Sequence, residues 1–214
     1  MPDDTACLIL VRHGATEANV VRPYRLQGRG SDFPLCELGV KQAEAARDFL
    51  AARCLERVYS SPLKRALQTA NLLAEPHGAA VETVEALTEC DVGQWEGRDW
   101  ETIRGGAPAH YERFLANPYV CGYLGGESFA DVRARVVPCF EELLDRAAGK
   151  TIAVVSHHVV NRVYLAHLLG VPEGKARNIR QDNGGISIIR RRGGQTRVIT
   201  LNITDHLNGL ETPE

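Results

Sequence analysis

Two short apolar runs, CLILV at residues 7–11 and TIAVVS at 151–156, constrain this chain more than any other feature, because neither alternates with polar residues. A run of that length without alternation, bounded by turn signals, reads as a buried strand. TIAVVS is the most clearly buried strand of the chain. Strand-like runs alternate with helical patterns along the sequence, which is the signature of an α/β sheet.

The intervening segments fill in this frame. LGVKQAEAARDFLAARC, from Leu38 to about Cys54, places Val40, Ala43, Phe49 and Leu50 on a helical stripe, and ERVYSS after it reads as a second strand. Ser61 is an expected N-cap, with Pro62 at the first position of the helix PLKRALQTANLLAE. AVETVEAL reads as a third strand, and VVNRVYLAHLLG as a helix closed by Gly170 and Pro172. ISIIRR and TRVITLNI flank RGGQ, a hairpin pattern that adds an antiparallel edge to a mostly parallel sheet. Residues from about 100 to 126, rich in glycine and proline, are expected to be irregular.

Size and charge limit what such a sheet can serve. At 214 residues the chain is expected to be a single domain, 1–214, with a small cap or insertion around 98–128, and folding can bury roughly 70% of its surface. With 25 Lys+Arg against 27 Asp+Glu the net charge is -2, so no global field favours nucleic acid or an acidic membrane, and any anion must be bound locally. The opening MPDDTA lacks a basic, apolar leader, and no apolar stretch approaches the roughly 20 residues of a membrane span, so a soluble cytoplasmic protein is expected. Six cysteines without C-x-x-C spacing read as reduced thiols, with neither a disulfide framework nor a zinc site.

In open α/β sheets, ligands bind beyond the carboxyl ends of the strands. Arg12 and His13 follow the first strand, Ser60, Ser61 and Arg65 the second, Glu89 the third, and His157 follows TIAVVS. Taken singly, a histidine after a strand is more often a structural hydrogen-bonding residue than a catalyst, and Arg65, Glu89 and Asn19 read as surface or turn residues. Their joint placement at successive strand ends is what points to a site. His77, His110, His167 and His206 have no such placement and read as structural.

The motifs LVRHGATEAN, LQGRGSDFPLCELGVKQA, YSSPLKRALQTA, LTECDVGQWEG and VVSHHVVNR, spread in this order from residue 8 to about 162, resemble the histidine phosphatase superfamily in its phosphoglycerate mutase-like branch. The resemblance implies a three-layer α/β/α sandwich. It also implies that His13 is the nucleophile that becomes phosphorylated, oriented by a backbone carbonyl near Gly14, with Arg12 and Arg65 holding the phosphate. His157, protonated by its anionic surroundings, would cover the transferring group, and Asn19 and the backbone around Gly28 would complete the pocket. Glu89 would protonate the leaving oxygen and then deprotonate water, and no metal or other cofactor is needed.

Two positions depart from the family pattern: His158 stands where many relatives carry a small residue, and Ala18 where many mutases carry Trp. His158 either reaches a second anionic or hydroxyl group of the substrate or merely opens the following helix. The Asn183-Gly184-Gly185 stretch reads as a turn. Three functions compete: a phosphomonoesterase of small esters, a cofactor-dependent phosphoglycerate mutase, and a non-catalytic phosphate-ligand module. The short 100–126 region, the GGES at 125–128 and the few residues after the last strand favour the first. Expected partners are a small phosphorylated metabolite and inorganic phosphate as product, with a homodimer left open, and neither nucleic acid nor membrane.

Overall fold

The structure is a computed structural model that describes residues 4–212, so readings that rest on residues 1–3, 213 and 214 lie outside it. Strand β1 (Ala6–Arg12) leads through the one-turn α1 (Glu17–Val20) to α2 (Glu37–Leu50), β2 (Arg57–Ser60), α3 (Lys64–Ala74) and β3 (Ala80–Thr83). Then come α4 (Trp100–Gly106), α5 (Pro108–Ala116), α6 (Phe129–Arg146), β4 (Thr151–Ser156), α7 (His158–Leu169), β5 (Ile186–Arg192) and β6 (Gln195–Ile203). The strands form one sheet in the order β3-β2-β4-β1-β5-β6. β1, β2, β3 and β4 pair in parallel, while β5 runs antiparallel to β1 and β6 antiparallel to β5, so the antiparallel edge is a two-stranded hairpin.

Alternation along the strands separates two cores. Leu8 and Leu10 of β1 and Ile152 and Val154 of β4 point to the face covered by α6 and α7. Ile9, Val11, Ala153 and Val155 point to the other, covered by α2 and α3. This is the three-layer α/β/α arrangement that the family resemblance implies. The chain leaves β1 toward one face and β4 toward the other, although the two strands are neighbours in register, with Arg12 opposite Ser156. A crevice therefore opens at their carboxyl ends, at the switch point where such sheets bind ligands.

Several expected elements are corrected. Val40 and Phe49 are 37% and 40% exposed, and the buried stripe of α2 is Gly39, Ala43, Ala46 and Leu50. The ring of Phe49 instead stacks on His206 at 5.0 Å. The helix after β2 begins at Lys64 rather than Pro62, because the Ser61 hydroxyl accepts from Leu63 N–H at 3.3 Å and also meets His157. β3 stops at Thr83, and a 3-10 turn at Glu85–Leu87 redirects the chain so that Glu89 returns to the crevice. Residues 100–106 and 108–116 are helical, with Asp99 capping α4 through Thr102 N–H (2.9 Å) and Pro108 opening α5.

The sequence reading also missed α6. Pro138 interrupts its pattern, yet Ser128 and Asp131 form a capping box at its start, and Val132, Val136, Phe140 and Leu143 make an apolar stripe. All six cysteines are free. Among the described residues, no helix is long and apolar enough to cross a membrane.

Candidate active site

Why β1 ends in Arg-His-Gly becomes clear from the backbone around it. Arg12 N–H donates to Gly185 C=O (3.2 Å), Gly184 N–H to Arg12 C=O (3.0 Å), and His13 N–H to Ser156 C=O (3.0 Å). Asn183 Nδ2 donates to His13 C=O at 3.0 Å, so the Asn183-Gly184-Gly185 turn buttresses the strand end. Gly14 is required next: a Cβ there would lie 2.2 Å from the Gly39 carbonyl of α2. Thr69 Oγ1 accepts from Gly14 N–H (3.1 Å), and Gln42 Oε1 from Ala15 N–H (2.8 Å). The backbone polar groups of the turn are thereby met, and His13 is held in place.

His13 Nδ1 lies 2.7 Å from the Gly14 carbonyl. A carbonyl oxygen only accepts, so Nδ1 carries the proton. Burial, reinforced by Arg65 and Arg12, pushes the imidazole pKa well below the usual histidine range. The ring is therefore neutral, with its lone pair on Nε2. His157 sits beside it, ring centroids 5.0 Å apart, with Nε2 2.7 Å from Ser61 Oγ. Burial, then Arg65, pushes the His157 pKa well below the usual histidine range, opposite to the protonated state that the resemblance implies. The charged side chains acting on it are Arg65, Arg12 and Arg135, and a bound anion would act in the opposite direction.

Glu89 is the carboxylate at this edge. Its Oε1 accepts from Cys90 N–H (2.8 Å) and Oε2 from Val159 N–H in the first turn of α7 (3.2 Å). Burial nevertheless dominates and raises its pKa above the usual carboxylate value. Its loop is clamped by Arg135, which donates to the carbonyls of Ala86, Thr88 and Glu89 and pairs with Glu127 at 2.9 Å.

A cavity of about 580 Å³ opens over this edge. Of the residues singled out in the sequence, Arg12, His13, Asn19, Glu89 and His158 line it. Arg65 and His157 do not; both are fully buried behind His13. Arg65 donates to the carbonyls of Ser31 (2.8 Å) and Gly28 (3.0 Å). Gly28 N–H is taken by Glu96 Oε1 at 2.9 Å, so Gly28 positions Arg65 and is not on the cavity wall. Asn19 Oδ1 accepts from Thr16 N–H (2.9 Å) and its hydroxyl (3.1 Å), which leaves the amide nitrogen for donation.

The opposite wall comes from the segment after Asp99, including Trp100, Tyr111, Phe114 and Phe129. Sequence reasoning missed Arg162, Arg177 and Tyr24 on the wall, and Gln42, Thr69 and Arg135 behind it. For Gln42 a signal existed, a polar residue on the otherwise apolar buried stripe of α2, and for Thr69 its place one turn after Arg65 on the buried stripe of α3. Among the described residues, no group of three or more His, Cys, Asp or Glu side chains is placed to hold a metal ion.

Comparison with known proteins agrees with this geometry. Phosphoserine phosphatase 1 of Hydrogenobacter thermophilus is 38% identical over 200 residues, which is 94% of this chain and 93% of that protein. The solved structure of Bacillus stearothermophilus YhfR matches with a TM-score of 0.87 at 31% identity, covering 94% of this chain and 98% of that one. Phosphoserine phosphatase from Entamoeba histolytica, solved with 3-phosphoglyceric acid, matches with a TM-score of 0.84 at 30% identity and the same coverage, 94% and 98%. Residues 8–204 match the histidine phosphatase superfamily, branch 1, and the chain belongs to that family.

Proposed function

We propose that this chain is a metal-independent phosphomonoesterase that hydrolyses small phosphorylated metabolites through a phosphohistidine on His13 and releases inorganic phosphate. The observation that carries the reading is the state of His13: neutral, pinned through Nδ1–H to Gly14 C=O, with Nε2 free next to the permanent charge of Arg12. A neutral, oriented imidazole is what a histidine nucleophile must be.

In the first step Nε2 attacks phosphorus, the P–O ester bond breaks, and the leaving oxygen takes the proton of Glu89, whose raised pKa keeps a share of it protonated. In the second, Glu89 as carboxylate takes a proton from water. The resulting hydroxide attacks phosphorus, the P–N bond breaks, and His13 returns to its neutral form. Charge on the equatorial oxygens is met by Arg12 and Asn19 at the wall and by Arg65 and His157 from behind, with Gly28 steering Arg65. His157 gains its proton as the dianion arrives. The segment 98–128 acts as a small cap whose aromatic side chains shape access, and the six free thiols suit a reducing, cytoplasmic setting.

A panel of esters assayed without added metal tests this: p-nitrophenyl phosphate, phosphoserine, and 3-phosphoglycerate with and without 2,3-bisphosphoglycerate. Phosphate release is expected. Isomer interconversion without release would make the chain a mutase, and inactivity throughout would make it a binding module.

A further inference from the structure

The cavity continues beyond His13 along α7, where His158 and Arg162, four residues apart, stand on one helix face and both line the wall. Arg162 Nε donates to Ile179 C=O at 2.7 Å. Among the described residues its terminal nitrogens have neither a hydrogen-bond acceptor nor a carboxylate partner. Burial, with Arg12 adding to it, lowers the Arg162 pKa to about 10, so the guanidinium stays charged at neutral pH in a partly desolvated place. Around the cavity three arginines, Arg12, Arg162 and Arg177, face one carboxylate, Glu89. A phosphate at His13 uses Arg12 and leaves the cation on α7 unmatched.

We propose that Arg162 and His158 form a second anion subsite, which takes the carboxylate of a phosphorylated carboxylic acid while its phosphoryl group meets His13. The inference rests on reading the cavity as the substrate site. A carboxylate, not a second phosphate, fits because the free end of one guanidinium matches its two oxygens side by side. His158 adds one neutral N–H, since burial and Arg162 hold its pKa well below the usual histidine range. A second phosphate dianion would call for more donors than these two side chains supply, and the aromatic wall opposite suits the carbon stem between the two anions.

Non-hydrolysable probes separate this from catalysis. Calorimetry should show 4-phosphonobutyrate binding about 10- to 100-fold more tightly than butylphosphonate, the range for one charge-assisted pair. Arg162→Gln should bring the two within about threefold, and Arg162→Lys should keep part of the advantage. Butylphosphonate affinity reports whether each variant retains its phosphate site. Should Arg162→Gln fail to fold, His158→Ala, which breaks no hydrogen bond within the protein, should still cut the advantage about three- to tenfold. Equal binding of the two probes by the unaltered protein would overturn the subsite, as would an advantage unchanged in the folded variants or tighter binding of propane-1,3-bisphosphonate. The phosphatase reading fails separately, if no ester is hydrolysed while the Arg162-dependent advantage is present.

Discussion

Glu89→Gln separates the two chemical steps and has a structural cost that can be worked out beforehand. Both carboxylate oxygens accept backbone N–H groups, from Cys90 at 2.8 Å and Val159 at 3.2 Å. A glutamine amide can accept only one of these and turns its NH2 toward the other donor. One buried hydrogen bond is lost and a donor left unmet, about 1–3 kcal/mol, or a fall in Tm of roughly 2–12 °C for a chain of this size. The variant should therefore fold and be assayable at 25 °C. On alkyl phosphates, whose leaving oxygen needs a proton, kcat should fall roughly 10²- to 10⁴-fold. On p-nitrophenyl phosphate the first step should suffer far less, because the aryl oxide leaves unprotonated. Dephosphorylation still lacks its base, so phosphoenzyme should accumulate with the aryl ester and be visible by rapid quench. The alkyl rate of the unaltered enzyme should also decline as pH rises through the raised pKa of Glu89, and that limb should vanish in the variant. Equal losses on both esters without phosphoenzyme would refute the reasoning and move the proton to another group. The neighbouring carboxylates are poorly placed: Glu85 is exposed, Asp91 pairs with Arg29 at 2.9 Å, and neither lines the cavity.

Acid lability offers a check on the nucleophile: enzyme quenched with a labelled ester should carry phosphate on His13 that survives alkali and is lost in acid, and label on Ser, Cys or Asp would sink the covalent-histidine route. Treatment with EDTA should leave activity unchanged, whereas a loss restored by Mg²⁺ or Zn²⁺ would reveal a metal requirement. Thermal stability should depend on pH through the three buried histidines. His13, His157 and His158 all have folded pKa values well below an unfolded value of about 6.5. The folded state thus binds fewer protons, and this contribution is present above about pH 6.5 and lost as pH falls toward the folded values. Glu89 acts with the opposite sign, its contribution being lost as pH rises through its raised pKa, but it is one group against three. Tm should therefore drop between pH 7 and 5, with a shallower slope in His158→Ala; a flat profile would contradict the neutral assignment.

What the sequence by itself determined is local in origin. Apolar runs too short for a helix and bounded by polar or turn residues read as buried strands, and CLILV and TIAVVS do lie in the adjacent central strands β1 and β4. Gly170, with φ 63, closes α7 where the pattern ends, and RGGQ turns β5 into β6 as its glycines require. The polar residues that follow those strands could then be assigned to one sheet edge, and Arg12, His13, Glu89 and His157 do meet there. Where the pattern was ambiguous, reading failed: Pro138 masked α6, and the glycines and prolines of 100–126 concealed two helices. Tertiary structure alone decided how the charges are shared. Arg65 and Gly28 look like two unrelated phosphate contacts in the sequence, yet the fold buries Arg65 behind His13 and makes Gly28 its acceptor. Arg135 lies in no motif and Arg162 only closes VVSHHVVNR with no role attached to it; one becomes a clamp on the Glu89 loop and the other a cation in the cavity wall because α6 and α7 pack side by side on the same face. The protonation states of His13, His157 and Glu89 follow the same rule, since a pKa is set by desolvation and by charges brought close from distant parts of the chain, which no local pattern encodes.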